Sequence, residues 1–243
     1  MIHREAYRVR WHDTNAARTV HPTGVLTYMQ ETANCQFECN GLPLDALRDE
    51  QGVGFILSRV ALEFHQPIHA YEQIEVETFT CPPHGCAFPR GFRVRRGDVT
   101  VAEGMSVWAL LRLADRTLLR AADAPMAFGD EQPLSLSVPL RVAVPRDAVF
   151  ETVGMRTVQY SDVDYNMHMN NTKYPNMVCD FLPDVGKLCI VGMSLSFCHE
   201  AALGDTLTVY RAAGTAAGEY FVRVCHGDTL CTEALVRTKP GGV

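Results

Sequence analysis

Apolar and polar residues alternate along Ile74 to Phe79, Phe92 to Val94 and Thr100 to Leu113, the two-residue period of strands with one buried face. Upstream the period changes. Leu26, Met29, Ala33 and Phe37 recur at spacings of three and four, which predicts a helix with Thr23 as its cap and Asn40-Gly41 as its stop. A second helix is expected where Asn170 or Asn171 can cap, Pro175 falls in or near the first turn and Pro183 lies just beyond the end; it spans about three turns.

The pattern occurs twice. Val60 to Val76 lies over Met193 to Val209, with Leu62/Leu195, Phe64/Phe197, Ile74/Leu207 and Val76/Val209 in register. Each copy then carries a Gly-Asp pair at a hairpin turn, Gly97-Asp98 and Gly227-Asp228, and upstream Val9 to Asp13 matches Val158 to Asp162. The offset between copies shrinks along the chain, so the first has the longer helix. Prolines at 133, 139 and 145 punctuate the segment between them, read as a linker with a returning strand. A helix wrapped by an antiparallel sheet, present twice, is an α+β arrangement whose two sheets can join edge to edge and so hide two exposed edges.

Composition narrows the function classes. With 47% hydrophobic and 21% charged residues, and no apolar run near the roughly 18 residues of a membrane span, a soluble globular chain is expected. The N-terminus lacks the basic and then apolar stretch of a secretory signal, and the nine cysteines form no CxxC pair, so a cytoplasmic protein with reduced thiols is the expectation. Cys81, His84 and Cys86, or Cys225 and His226, fit no standard zinc spacing, and no metal or cofactor is implied. A net charge of -6 argues against nucleic acid as partner.

Asp164, Asn166 and His168 stand at two-residue intervals just ahead of the second helix. Taken alone, such a run is most often a turn and cap. The full stretch Ser161 to Tyr174 resembles the signature of the acyl-acyl carrier protein thioesterases of bacterial type, in which Asp-x-Asn-x-His-x-Asn-Asn-x-Lys-Tyr opens the second of two fused hotdog domains. Leu26 to Ala33, with its Gln-Glu-Thr-Ala, is similar to the family's first helix. The resemblance implies a tandem (double) hotdog: residues 1–128 as an N-terminal domain holding the acyl chain, 129–150 as linker and 151–243 as the catalytic domain. It implies hydrolysis of a fatty acyl thioester on acyl carrier protein, with Asp164, Asn166, His168 and Glu200 as catalytic residues.

On that basis Glu200 and His168 share the role of base toward water, Asn166 positions the water or the carbonyl, and Asp164 orients the loop. Backbone N–H groups near Asn171 and Thr172 are candidate oxyanion donors, and Leu26, Met29, Ala33 and Phe37 candidate linings for the acyl chain. The family's plant members carry a cysteine after the glutamate; Ala201 stands there in this chain, which leaves Cys198 as the nearest alternative nucleophile. In the first copy Pro67 stands where Glu200 would, and His21 precedes the helix much as His168 does, without the accompanying run. Arg90, Arg93, Arg95 and Arg96 lie on an otherwise acidic chain and form a candidate docking rim for an acidic carrier protein. A coenzyme A thioesterase or an enoyl hydratase on the same scaffold, and a non-catalytic acyl sensor, are the competing functions; both a monomer and a homodimer fit.

Overall fold

The computed structural model describes residues 2–241. The first copy runs β1 (His3–Arg8), α1 (Pro22–Cys39), α2 (Leu44–Asp49), β2 (Val53–Phe64), β3 (Gln73–Thr80), β4 (Phe88–Arg96), β5 (Val99–Arg112) and β6 (Thr117–Leu119). The second runs β7 (Glu151–Thr157), α3 (Tyr174–Asp180), β8 (Leu188–Phe197), β9 (Thr206–Ala213), β10 (Glu219–His226) and β11 (Thr229–Pro240). All pairings are antiparallel, in the order β1-β3-β4-β5-β2-β8-β11-β10-β9-β7, with β6 added to β5. The hairpins close where expected: Arg96 pairs with Val99 around Gly97-Asp98, and His226 with Thr229 around Gly227-Asp228, both glycines at positive φ.

The seam between the halves is the β2–β8 pair. Val60 faces Leu195, Ala61 faces Ser194 and Leu62 faces Met193, so residues that match in the repeat cross each other symmetrically about Ala61 and Ser194. Edge-to-edge joining therefore makes one sheet of the two. The core is likewise shared: Leu62, Met193, Leu195, Met177 and Val178 belong to the same buried cluster as Leu26 and Met29 of α1.

Helix α1 starts at His21 as N-cap with Pro22 in the first turn, and stops at Asn40 before Gly41 at φ 73°. Thr23, expected as the cap, lies inside the helix and does something else. Its hydroxyl donates to Thr172 O at 2.8 Å and accepts the Asn176 N–H at 3.1 Å, which ties α1 to the helical segment of the other half. That segment begins as a 3-10 turn over Asn171–Lys173, capped by Asn170, and continues into α3. Gly104 on β5 lets α1 sit close to the sheet: a Cβ there would stand 3.0 Å from Met29 Sδ.

The segment between the halves contains no strand among the described residues, against the returning strand expected there. Its prolines lack the N–H a ladder needs. It is held instead as a strap across the outer face of the sheet. Val138 and Val142 are buried, Leu134, Leu136 and Leu140 pack on Phe79, Cys81 and Met105, and Ser137 donates through its N–H (2.8 Å) and hydroxyl (2.6 Å) to the Glu63 carboxylate. No described helix is long and apolar enough to cross a membrane.

Candidate active site

The loop that carries Asp164, Asn166 and His168 is built by its own hydrogen bonds. Asp164 Oδ1 accepts the Asn166 N–H at 2.9 Å and its carbonyl accepts the Met167 N–H at 2.9 Å, while its own N–H reaches His168 O at 3.1 Å. This tight turn puts Met167 at φ 64°. Asp164 Oδ2 also takes the Asn170 amide at 3.3 Å, and Asn170 Oδ1 caps the following turn through the Thr172 N–H (2.9 Å) and hydroxyl (2.7 Å). One carboxylate thus fixes the loop and, through Asn170, the helix start behind it.

On its other side the loop is pinned by Met169, whose N–H donates to Ala201 O at 2.8 Å, and by a bridge between His168 and Ala202. That brings His168 Nδ1 to 3.4 Å from Glu200 Oε2. Glu200 lies in a loop: β8 ends at Phe197, and the Cys198 and His199 N–H groups both turn to Cys231 O, at 2.8 and 3.2 Å. A third group completes the cluster. Arg116, at the β5–β6 turn with φ 57°, places Nη2 3.4 Å from both Glu200 oxygens.

These groups stand at the exposed end of a cleft of about 830 Å³, within the size range of small-molecule sites. Its inner walls carry Ala33 and Phe37 of α1, Phe55 of β2, Phe88 of β4, Trp108 of β5 and Phe128 beyond β6. Arg48 of α2 closes the side by stacking on Tyr165, 4.8 Å from its ring centre.

Residues 1–127 match the family model described as the acyl-ACP thioesterase N-terminal domain, and residues 150–234 match the acyl-ACP thioesterase C-terminal domain. The chain belongs to the acyl-ACP thioesterase family. It is therefore a thioester hydrolase. Two solved structures share its double-hotdog fold over almost their whole length. An acyl-ACP thioesterase from Bacteroides thetaiotaomicron is 20% identical with a TM-score of 0.87, covering 98% of each chain. The 12:0-ACP thioesterase from Umbellularia californica is 18% identical with a TM-score of 0.82, covering 98% of this chain and 97% of its own. No curated protein sequence matches.

The thioesterase's cleft takes up only part of the residues expected in it. Asp164, Asn166, His168, Glu200, Asn171, Ala33 and Phe37 border it. Leu26 and Met29 do not: at 2% and 0% exposed they belong to the core, because the first turns of α1 lie over the shared core and only its later turns overhang the cleft. The Thr172 N–H is taken by Asn170, so it is not a free oxyanion donor. Cys198 also borders the cleft, but burial, followed by Glu233, pushes its thiol above the ordinary value, and a neutral thiol is a poor nucleophile.

The arginine run does not form a rim. Alternation along β4 splits it between two faces. Arg90 points inward and is 5% exposed, whereas Arg93 lies on the outer face between Glu77 (3.7 Å) and Glu103 (3.6 Å). Arg95 donates to Asp98 O at 3.2 Å, and Arg96 is held by Glu72 at 3.0 Å. Arg93 and Arg96 are thus paired with carboxylates and Arg90 is buried, so the four do not share one exposed face.

The first copy folds the same loop without the same chemistry. Thr14 bridges Val20 and Thr19 bridges His69, as Val163 bridges Met169 and His168 bridges Ala202, and Arg18 takes the positive φ of Met167. Asn15, Ala17 and Thr19 therefore stand where Asp164, Asn166 and His168 do. His21 corresponds to Asn170, not to His168. Asn170 was expected only as a helix cap, a role it fills, and not as a partner of Asp164. Arg116 and the aromatic wall beyond Phe37 were not foreseen.

Proposed function

We propose that this enzyme releases free fatty acids from acyl carrier protein by hydrolysis, with Glu200 and His168 activating water. The observation that carries the proposal is the 3.4 Å approach of His168 Nδ1 to Glu200 Oε2 at the exposed end of a cleft whose inner walls carry a row of aromatic rings. A thioester carbonyl placed there has its acyl chain in the cleft and its carrier outside.

With Glu200 accepting the His168 Nδ1 proton, Nε2 carries the lone pair that takes a proton from water. The water oxygen forms the new bond to the carbonyl carbon, the C–S bond breaks, and the proton passes from the imidazole to the departing thiolate. Catalytic contacts in an unliganded site are commonly long and tighten around substrate, which fits a 3.4 Å pair. Asn166, at the exposed tip of the turn, has a side-chain amide able to donate to the developing oxyanion. Asp164 is a positioning residue, since both its carboxylate oxygens are engaged within the loop.

The division of labour follows the repeat. Residues 151–243 provide the reacting groups, residues 1–128 most of the apolar wall, and residues 129–150 the strap. A chain-length panel of acyl-acyl carrier proteins and matched coenzyme A esters tests the carrier. Turnover of the carrier-protein esters is expected. Turnover of coenzyme A esters alone would make the enzyme an acyl-CoA thioesterase, and acyl binding with no turnover of either would make the chain an acyl-binding module.

A further inference from the structure

Arg90 shares the inward face of β4 with Phe88 and Phe92 and borders the cleft. Its Nη1 donates to Gln36 Oε1 at 2.6 Å and Thr78 Oγ1 at 2.9 Å, and its guanidinium lies 5.4 Å from the centre of the Phe37 ring. Among the described residues no carboxylate forms an ion pair with it. Burial pulls its pKa down to about 10, so it stays charged at neutral pH. A cation kept inside a fold on neutral partners alone is costly, and it is placed where the aromatic wall ends. That wall runs through Phe37, Phe55, Phe88 and Phe128, with ring centres 5.6, 5.8 and 4.8 Å apart in turn.

The sheet supplies a scale. From β8, next to Glu200, the order runs β2, β5 and β4. Three strand spacings amount to about 14 Å, the reach of an extended acyl chain of roughly ten carbons.

We infer that Arg90 is the specificity-determining end wall of the acyl cleft, accepting chains that stop short of it and rejecting longer ones. The inference takes its substrate from the acyl-hydrolase function proposed above. A chain that reaches Arg90 must press methyl or methylene groups against a guanidinium or pull it from Gln36 and Thr78. Either outcome offsets the gain of about fourfold in affinity that each further buried methylene would bring.

The test titrates free saturated fatty acids of increasing length, below their micelle concentrations, into the unmodified protein and into Arg90→Met and Arg90→Lys. Affinity of the unmodified protein should rise per carbon and then break near the length that meets Arg90. In Arg90→Met the rise should continue for two further carbons, a gain on the order of tenfold over the unmodified protein, and the hydrolysis profile should lengthen through KM rather than kcat. Arg90→Lys, which keeps the cation, should keep the break. The same break in all three proteins overturns the inference. If Arg90→Met fails to fold by circular dichroism, the unmodified protein decides the matter: at the break length an α,ω-dicarboxylic acid should bind at least tenfold more tightly than the methyl-terminated acid, and equal binding overturns it. A length break in binding without any hydrolysis would count against the proposed function and not against Arg90.

Discussion

Replacing Asp164 separates positioning from direct chemistry, because the chain contains its own control. Asp164 accepts the Asn166 N–H at 2.9 Å and the Asn170 amide at 3.3 Å. At the matching place in the first copy Asn15 Oδ1 accepts the Ala17 N–H at 3.0 Å and the Thr19 N–H at 3.2 Å, so a neutral amide folds the same turn. Asp164→Ala removes both bonds in a half-buried loop, a loss on the order of 2 kcal/mol. Expressed in the transition state, that is about a thirtyfold fall in kcat/KM. Asp164→Asn keeps the acceptor for Asn166 and weakens the Asn170 contact, worth about 0.5–1 kcal/mol, or roughly two- to fivefold. The assay is steady-state hydrolysis of one acyl thioester by the three proteins, with thermal melts beside it. If Asp164→Asn is as inactive as Asp164→Ala while both melt like the unmodified protein, the carboxylate acts on the reaction itself and the positioning role is wrong.

Cys198→Ser should hydrolyse substrate at close to the unmodified rate, since burial and Glu233 keep this thiol protonated; a loss of more than about tenfold would restore it as a nucleophile. Arg116→Ala removes an exposed partner of Glu200, so a modest fall of about fivefold in kcat/KM is expected, shrinking at high salt; an unchanged rate would mean the contact has no catalytic consequence. Partial burial raises the Glu63 pKa, but the two Ser137 bonds together with the charges of His65 and Arg237 lower it, for a net depressed value. A depressed folded-state value means stability present at neutral pH and lost as pH falls through it. Melting temperatures of the unmodified protein and Glu63→Gln should therefore differ at pH 7 and converge as pH falls below the ordinary glutamate range, and a constant gap would refute the strap's dependence on this carboxylate.

Much of the fold was legible because duplication doubles every signal. The Gly-Asp turns, the long first helix and the shorter second one each appear twice or by contrast, and the edge-to-edge seam follows from two sheets that each need a partner. Asp164, Asn166, His168 and Glu200 were legible through their spacing and the family resemblance, and the structure brings them to one end of one cleft. Arg90 was misread although the signal was present. It shares strand parity with Phe88 and Phe92, but four arginines in seven positions read as a surface run when charge is counted without period. Leu26 and Met29 share a helix face with Ala33 and Phe37, and periodicity cannot say which end of that face overhangs a cavity. Arg116 was beyond reach: it meets Glu200 across 84 residues, through a turn whose direction only the assembled sheet defines.

The central claim, that Glu200 with His168 activates water, is tested most directly by Glu200→Gln, which preserves shape and removes the acceptor charge. Single-turnover hydrolysis and acyl-chain affinity should be measured on the same preparation. The account predicts a fall in hydrolysis of roughly 10²–10⁴-fold with acyl affinity unchanged, because the imidazole base of His168 loses the carboxylate that holds its Nδ1–H and stabilises the imidazolium. Hydrolysis within about fivefold of the unmodified enzyme would contradict it, since the imidazole would then act without the Glu200 carboxylate.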